Sequence, residues 1–138
     1  MNLSPEKIQL SKDIDVQITK RRRYENGNFY LHQTFTWVSV LASFSTAILA
    51  GISSQTHTDT YIIKITVALL AALTAAVTLV NKNFSFDKRA LWNTVFRSKL
   101  EAIKRDLTYK NEAIGTIVEE LNKLDLDMEI SFPEIKKR

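Results

Sequence analysis

The 138-residue sequence contains no cysteine, which excludes disulfides, thiolate nucleophiles, iron–sulfur ligation and cysteine-based zinc sites within the chain. Glycine is nearly as scarce: the three present, Gly27, Gly51 and Gly115, are too far apart to build a phosphate-cradling loop. Only two histidines occur, His32 and His57, and neither belongs to a His-Glu-x-x-His pattern or to a frame with a serine and an aspartate. A metal site would therefore need equivalent histidines from several copies. These absences predict a protein that is not an enzyme and holds no cofactor. Nineteen Lys and Arg against fifteen Asp and Glu leave a net charge of +4, too mild a bias to call for direct nucleic-acid binding.

What is present is an uneven distribution. The mean hydropathy of −0.11 averages apolar stretches with highly charged flanks. From Asn26 to Thr58 there are 33 consecutive residues without Asp, Glu, Lys or Arg, and Phe35 to Ile52 is apolar apart from small Ser and Thr. A second uncharged window, Ile65 to Asn81, has 17 residues, and Lys64 can extend it by laying its stem along the helix. Both are long enough for transmembrane helices. The competing reading is a soluble bundle with two very apolar helices. Some thirty polar and charged residues precede the first apolar stretch, so a cleaved signal peptide is not expected there.

The flanks orient the spans. Lys20, Arg21, Arg22 and Arg23, followed by the aromatics Tyr24, Phe29, Tyr30 and Trp37, precede the first, and Lys82, Lys88 and Arg89 follow the second. The link between them, Ser53 to Lys64, carries one acid, Asp59, and one base, Lys64. Basic residues concentrate on the cytoplasmic side, which predicts cytoplasmic termini, an outer link, and Lys20 to Arg23 at lipid headgroups. A nucleotide-phosphate patch is the alternative for that cluster.

Within the spans, small residues repeat every four positions: Ser39, Ser43, Ala47 and Gly51 in the first, Ala68, Ala72 and Ala76 in the second. Such stripes let helix backbones approach closely, so these are the expected helix-packing positions of an antiparallel hairpin. Thr66, Thr74, Thr78 and Asn81 lie close to one stripe of the second span. They either bond back to helix carbonyls or line a water-filled path in an oligomer.

Outside the spans, Ser4-Pro5-Glu6 is a helix start, with a capping hydroxyl, a proline pre-set for the first turn and an acid at the positive end of the helix dipole. Ile14 to Ile18 also alternates with period two, but the absence of partner strands favours helix. After the second span, Phe96, Leu100, Ile103, Leu107, Lys110, Ile114, Ile117, Leu121 and Leu124 follow alternating spacings of four and three. That heptad stripe predicts a long helix packed lengthwise, either on the N-terminal helix or on another subunit as an oligomer seam, with Lys110 and Gly115 weakening it near the middle. The expected architecture is one all-α domain: a cytoplasmic N-terminal helix and interface over residues 1–32, a transmembrane hairpin over 33–82, and a long heptad helix with its tail over 83–138.

The Arg-rich entry Arg21-Arg22-Arg23-Tyr24, Trp37 early in the first span, the exit through Asn81-Lys82-Asn83-Phe84-Ser85-Phe86, and Arg89, Trp92 and Leu100 on the following helix together resemble the SLATT superfamily over roughly Lys12 to Leu124. These are small bacterial two-transmembrane proteins associated with antiphage defence systems that use nucleotide second messengers or reverse transcriptases. The resemblance implies a multi-pass inner-membrane effector that oligomerises and permeabilises the membrane as a pore, arresting infected cells. It further implies membrane lipids and other copies of the chain as partners, with activation by an upstream sensor protein or a nucleotide second messenger. A non-conducting scaffold that recruits a partner through its cytoplasmic helices is the alternative.

Overall fold

A computed structural model describes residues 4–55, 61–110 and 112–132. The fold is all-α, with no strand among the described residues. Helix α1 runs over Pro5–Gln55, α2 over Tyr61–Phe84, α3 over Phe86–Arg105 and α4 over Ile114–Ile130, with a π-helical turn, Asp106–Lys110, after α3. Residues 56–60 of the link, His57 and Asp59 among them, and the tail from Pro133 lie outside the described residues.

Helix α1 starts where its capping chemistry directs. The Ser4 hydroxyl accepts the Lys7 backbone N–H at 3.4 Å, and the Ser4 carbonyl closes the first turn onto Ile8 N–H at 3.1 Å. From there the helix continues through the basic cluster and Gly27 without interruption. Gly27 costs roughly 1 kcal/mol of propensity relative to Ala, a loss that the helical turns on either side carry.

The chain divides into two compact units, with boundaries at Phe29/Tyr30 and Phe86/Asp87. The first combines the N-terminal half of α1 with α3, the π-turn and α4. Its core comprises Ile14, Phe96, Leu100, Ile103, Leu107, Ile117, Leu124 and Met128, with Leu10, Ile18, Trp92 and Leu121 packed against them. Leu10, Ile14 and Ile18 stand four apart and share one helix face. Val16, which the period-two reading would pair with them, is 68% exposed.

The single long helix expected after the second span is two helices that fold back on one another. Near the start of α3, Trp92 donates its indole N–H to the Met128 carbonyl near the end of α4 at 3.0 Å, so the two run antiparallel. The change of direction begins at the π-turn and ends at Ala113, whose extended backbone (φ −65°, ψ 140°) precedes α4. Lys110, the polar position in the heptad stripe, sits in that turn, paired with Asp106 at 3.0 Å. Each half of the stripe then lines its own helix, and the halves face each other and Ile14.

The second unit contains the C-terminal half of α1 and helix α2. Both are long and apolar enough to cross a membrane, and only 6% of the apolar window of each is buried within the chain. The covered face centres on Ala42 of α1 and Val77 of α2. Between α2 and α3 stands Ser85, whose φ of 47° places a non-glycine residue in the left-handed region. Its amide closes α2 by donating to the Asn81 carbonyl at 3.0 Å, and its hydroxyl donates to the Lys82 carbonyl at 3.3 Å.

Candidate functional site

The apolar hairpin is the candidate site, and its polar groups are the first question. Thr46, Thr66 and Thr74 donate their hydroxyls to the carbonyls four residues back, Ala42, Ile62 and Leu70, at 2.7, 2.9 and 3.0 Å. This is how a hydroxyl is satisfied on an apolar helix without a second partner. Two further pairs cross between the helices: the Ser39 and Thr78 hydroxyls lie 3.1 Å apart, and His32 Nδ1 lies 3.2 Å from Asn81 Oδ1. These pairs fix the axial register of α1 against α2. Thr78 and Asn81, two of the four candidate pore-lining residues, are therefore engaged at the hairpin seam.

The small-residue stripes lie elsewhere. Ser43, Ala47, Gly51, Ala68, Ala72 and Ala76 are exposed, while Ser39 is half-covered. The intramolecular contact uses a different face, with Phe35, Val38, Ala42, Thr46 and Leu49 of α1 and Leu70, Thr74, Val77 and Val80 of α2 as its covered or half-covered positions. Helical geometry accounts for the difference. Spacing by four drifts about 40° per step, so a strict i, i+4 stripe winds off a straight contact line that alternates threes and fours.

The candidate oligomer seam is occupied within the first unit. Phe96, Leu100, Leu107 and Ile117 are at most 2% exposed, Ile103 and Leu124 are buried, and Ile114 and Leu121 are half-buried. The cis alternative therefore accounts for most of the stripe, with α1 and α4 both packed on α3.

The basic cluster is also divided. Consecutive helical residues point about 100° apart, so Lys20 and Arg23, about 60° apart, share a face from which Arg21 and Arg22 diverge. Lys20, Arg22 and Arg23 are exposed. Arg21 instead turns onto the core, its guanidinium 4.1 Å from the Phe96 ring centroid and 4.9 Å from that of Trp92. Burial lowers the Arg21 pKa, opposed by the charge of Asp125. Cation–π contact takes the place of part of the lost hydration.

Several polar contacts have no local signature in the sequence. Arg97 of α3 donates from Nε to Glu25 at 2.9 Å and from Nη1 to Glu101 at 2.8 Å. The Arg97 hydrogen bond holds the Glu25 carboxyl below the usual carboxylate range. Lys104 reaches both carboxylate oxygens of Asp15 at 2.6 and 2.7 Å. Together these pairs set α1 antiparallel to α3. Glu25 and Arg97 stand 72 residues apart, which no periodicity can connect.

Compared with known protein families, characterised proteins and solved structures, the chain finds no match. The fold and site define a class: an all-α protein with two helices long and apolar enough to cross a membrane, joined to a helical unit built on its own core.

Proposed function

We propose that this chain is a two-span membrane protein with cytoplasmic termini, that its copies associate through the exposed small-residue stripes, and that the assembly permeabilises the bacterial inner membrane as a defence effector. One observation carries the proposal. The apolar windows are 94% unburied within the chain, the complement of the 6% covered, so they need lipid or further helices around them. Ser43 and Ala47 on α1, with Ala68, Ala72 and Ala76 on α2, offer surfaces that a second hairpin can approach closely. The positive flanks support the orientation. Permeabilisation, the defence setting and activation by a sensor protein or nucleotide second messenger rest on the SLATT resemblance.

A second reading has its own support. Thr78 and Asn81 spend their polar groups on Ser39 and His32, and Thr66 and Thr74 bond to their own helix, which favours a non-conducting assembly that recruits a partner.

The absence of native cysteine makes the test clean. Single-cysteine variants Ala47→Cys and Ala72→Cys, expressed in bacteria, should cross-link between copies in the membrane fraction, and expression of the parent should collapse a potential-sensitive dye signal. Ala47→Phe should reduce both. Assembled protein with an intact potential would sink the pore and leave the scaffold. Release of the protein by alkaline carbonate without detergent would sink membrane insertion itself.

A further inference from the structure

The first unit holds a cavity of about 350 Å³ lined by Arg21, Arg89, Asn28 and Asn93 with no acid among its lining residues, while Asp125 of α4 acts on Arg21 from the adjoining groove. Arg21 projects into the lining from α1, Arg89 and Asn93 from the first turns of α3, and Tyr24, Trp92 and Phe132 form the aromatic walls.

Two of these residues are incompletely bonded. Asn93 is 4% exposed and donates its amide Nδ2 to the Arg89 carbonyl at 2.8 Å. That bond fixes the orientation of the amide, because the reverse would set two oxygens against each other. Asn93 Oδ1 is then left buried with no hydrogen-bond donor among the described residues, and the Nε–H of Arg89 is buried with no acceptor among them. Arg89 lies over the Phe132 ring at 5.5 Å and forms no ion pair among the described residues. A buried polar atom without a partner costs free energy, so an unmet acceptor and an unmet donor on two residues that line the same cavity indicate the complement they lack. A single water occupies about 30 Å³, far less than the space present.

The complement can be specified chemically. Two guanidinium forks from different helices demand more acceptor oxygens than the two of a carboxylate, which a tetrahedral phosphate supplies. Asn93 Oδ1 demands an O–H or N–H donor, which a bare anion lacks. We propose that this cavity binds a phosphate ester bearing a free hydroxyl, with the phosphate on Arg21 and Arg89 and the hydroxyl donated to Asn93 Oδ1. Such a group occurs in soluble polyol phosphates and in the glycerol phosphate headgroup of an anionic lipid. The assignment rests on the first unit alone and stands whether or not the hairpin conducts.

The test uses the full chain with Trp37→Phe, which leaves Trp92 on the cavity wall as the only tryptophan. In a neutral detergent free of phosphate, glycerol 3-phosphate should change Trp92 emission saturably, and glycerol should not. In a second arm the protein is reconstituted into phosphatidylcholine vesicles with and without phosphatidylglycerol. A response to the soluble ester alone assigns the site to a metabolite, and one to the lipid alone assigns it to a headgroup. Arg89→Gln and Asn93→Leu should each weaken the effective ligand at least tenfold. Arg89→Lys keeps the charge and most of the bulk, so it tests the fork without unfolding the unit, and it too should weaken binding. Silence of both probes would overturn the proposal, and so would parent-like affinity in Arg89→Lys and Asn93→Leu.

Discussion

Leu100→Ala separates a heptad stripe spent inside one chain from one that joins chains. Leu100 is 0% exposed, at the centre of the cluster shared by α1, α3 and α4. The substitution deletes three carbons, about 2.4 kcal/mol of transfer free energy at about 0.8 kcal/mol per buried methylene. A cavity then remains, which brings the expected loss to about 2–5 kcal/mol. With a urea dependence of about 2 kcal/mol per molar, the unfolding midpoint falls by roughly 1–2.5 M. Trp92 reports the transition in a Trp37→Phe background, because its ring packs edge-on against Phe96 at 5.3 Å and its N–H is bonded to Met128. The measurement is made in micelles at several protein concentrations. An intramolecular core gives a midpoint independent of concentration in parent and variant alike. A midpoint that rises with protein concentration, or a Leu100→Ala variant as stable as the parent, would refute the assignment of the stripe to the chain's own core.

The Glu25–Arg97 pair makes stability depend on pH in one direction. Arg97 depresses the folded pKa of Glu25 below its unfolded value of about 4.3, so the contribution is fully present above that value and is lost as pH falls through the folded pKa. Glu25→Gln should lower neutral-pH stability by about 1 kcal/mol, a modest figure because both partners retain some solvent, and should flatten the acid limb of a denaturation-versus-pH curve. At Ser85, the positive φ predicts that Ser85→Val melts below the parent, by about 1–2 kcal/mol of backbone strain relative to Ser85→Gly, in a thermal scan followed by circular dichroism. Thr78→Val removes the bond to Ser39, and distance measurement between labelled α1 and α2 should register a loosening worth about 0.6 kcal/mol. A change in ion selectivity with no loosening would instead place Thr78 on a conducting path.

The helical character of the chain was legible because its signals are local. Ser4-Pro5-Glu6 starts α1 as capping chemistry predicts, and the apolar stretches Phe35 to Ile52 and Ile65 to Asn81 fall inside α1 and α2. The heptad stripe correctly marked the apolar positions of α3 and α4. Its continuity concealed the reversal, since spacings of three and four are satisfied equally by one long helix and by two short ones in succession. Lys110 and Gly115 marked the neighbourhood of the break, but a polar seam residue also occurs in unbroken coiled coils. Adjacency in the basic run Lys20 to Arg23 does not fix which way each side chain points. Arg21 went to the aromatic core. Asn93 carried no signal and Arg89 only that of a basic flank, because the absence of a partner is a property of the surroundings.

The sequence by itself determined which segments are helical and which two are long and apolar enough to cross a membrane. Both follow from composition and period along the chain, and neither needs a partner to be named. Tertiary structure decided what each helical face meets: the heptad stripe meets its own chain, Thr78 and Asn81 meet Ser39 and His32, and the alanine stripe of α2 is exposed. A helix presents several faces at once, and within the first unit only the direction in which the chain turns back, after the π-turn at Asp106–Lys110 and before α4, selects the one that is covered.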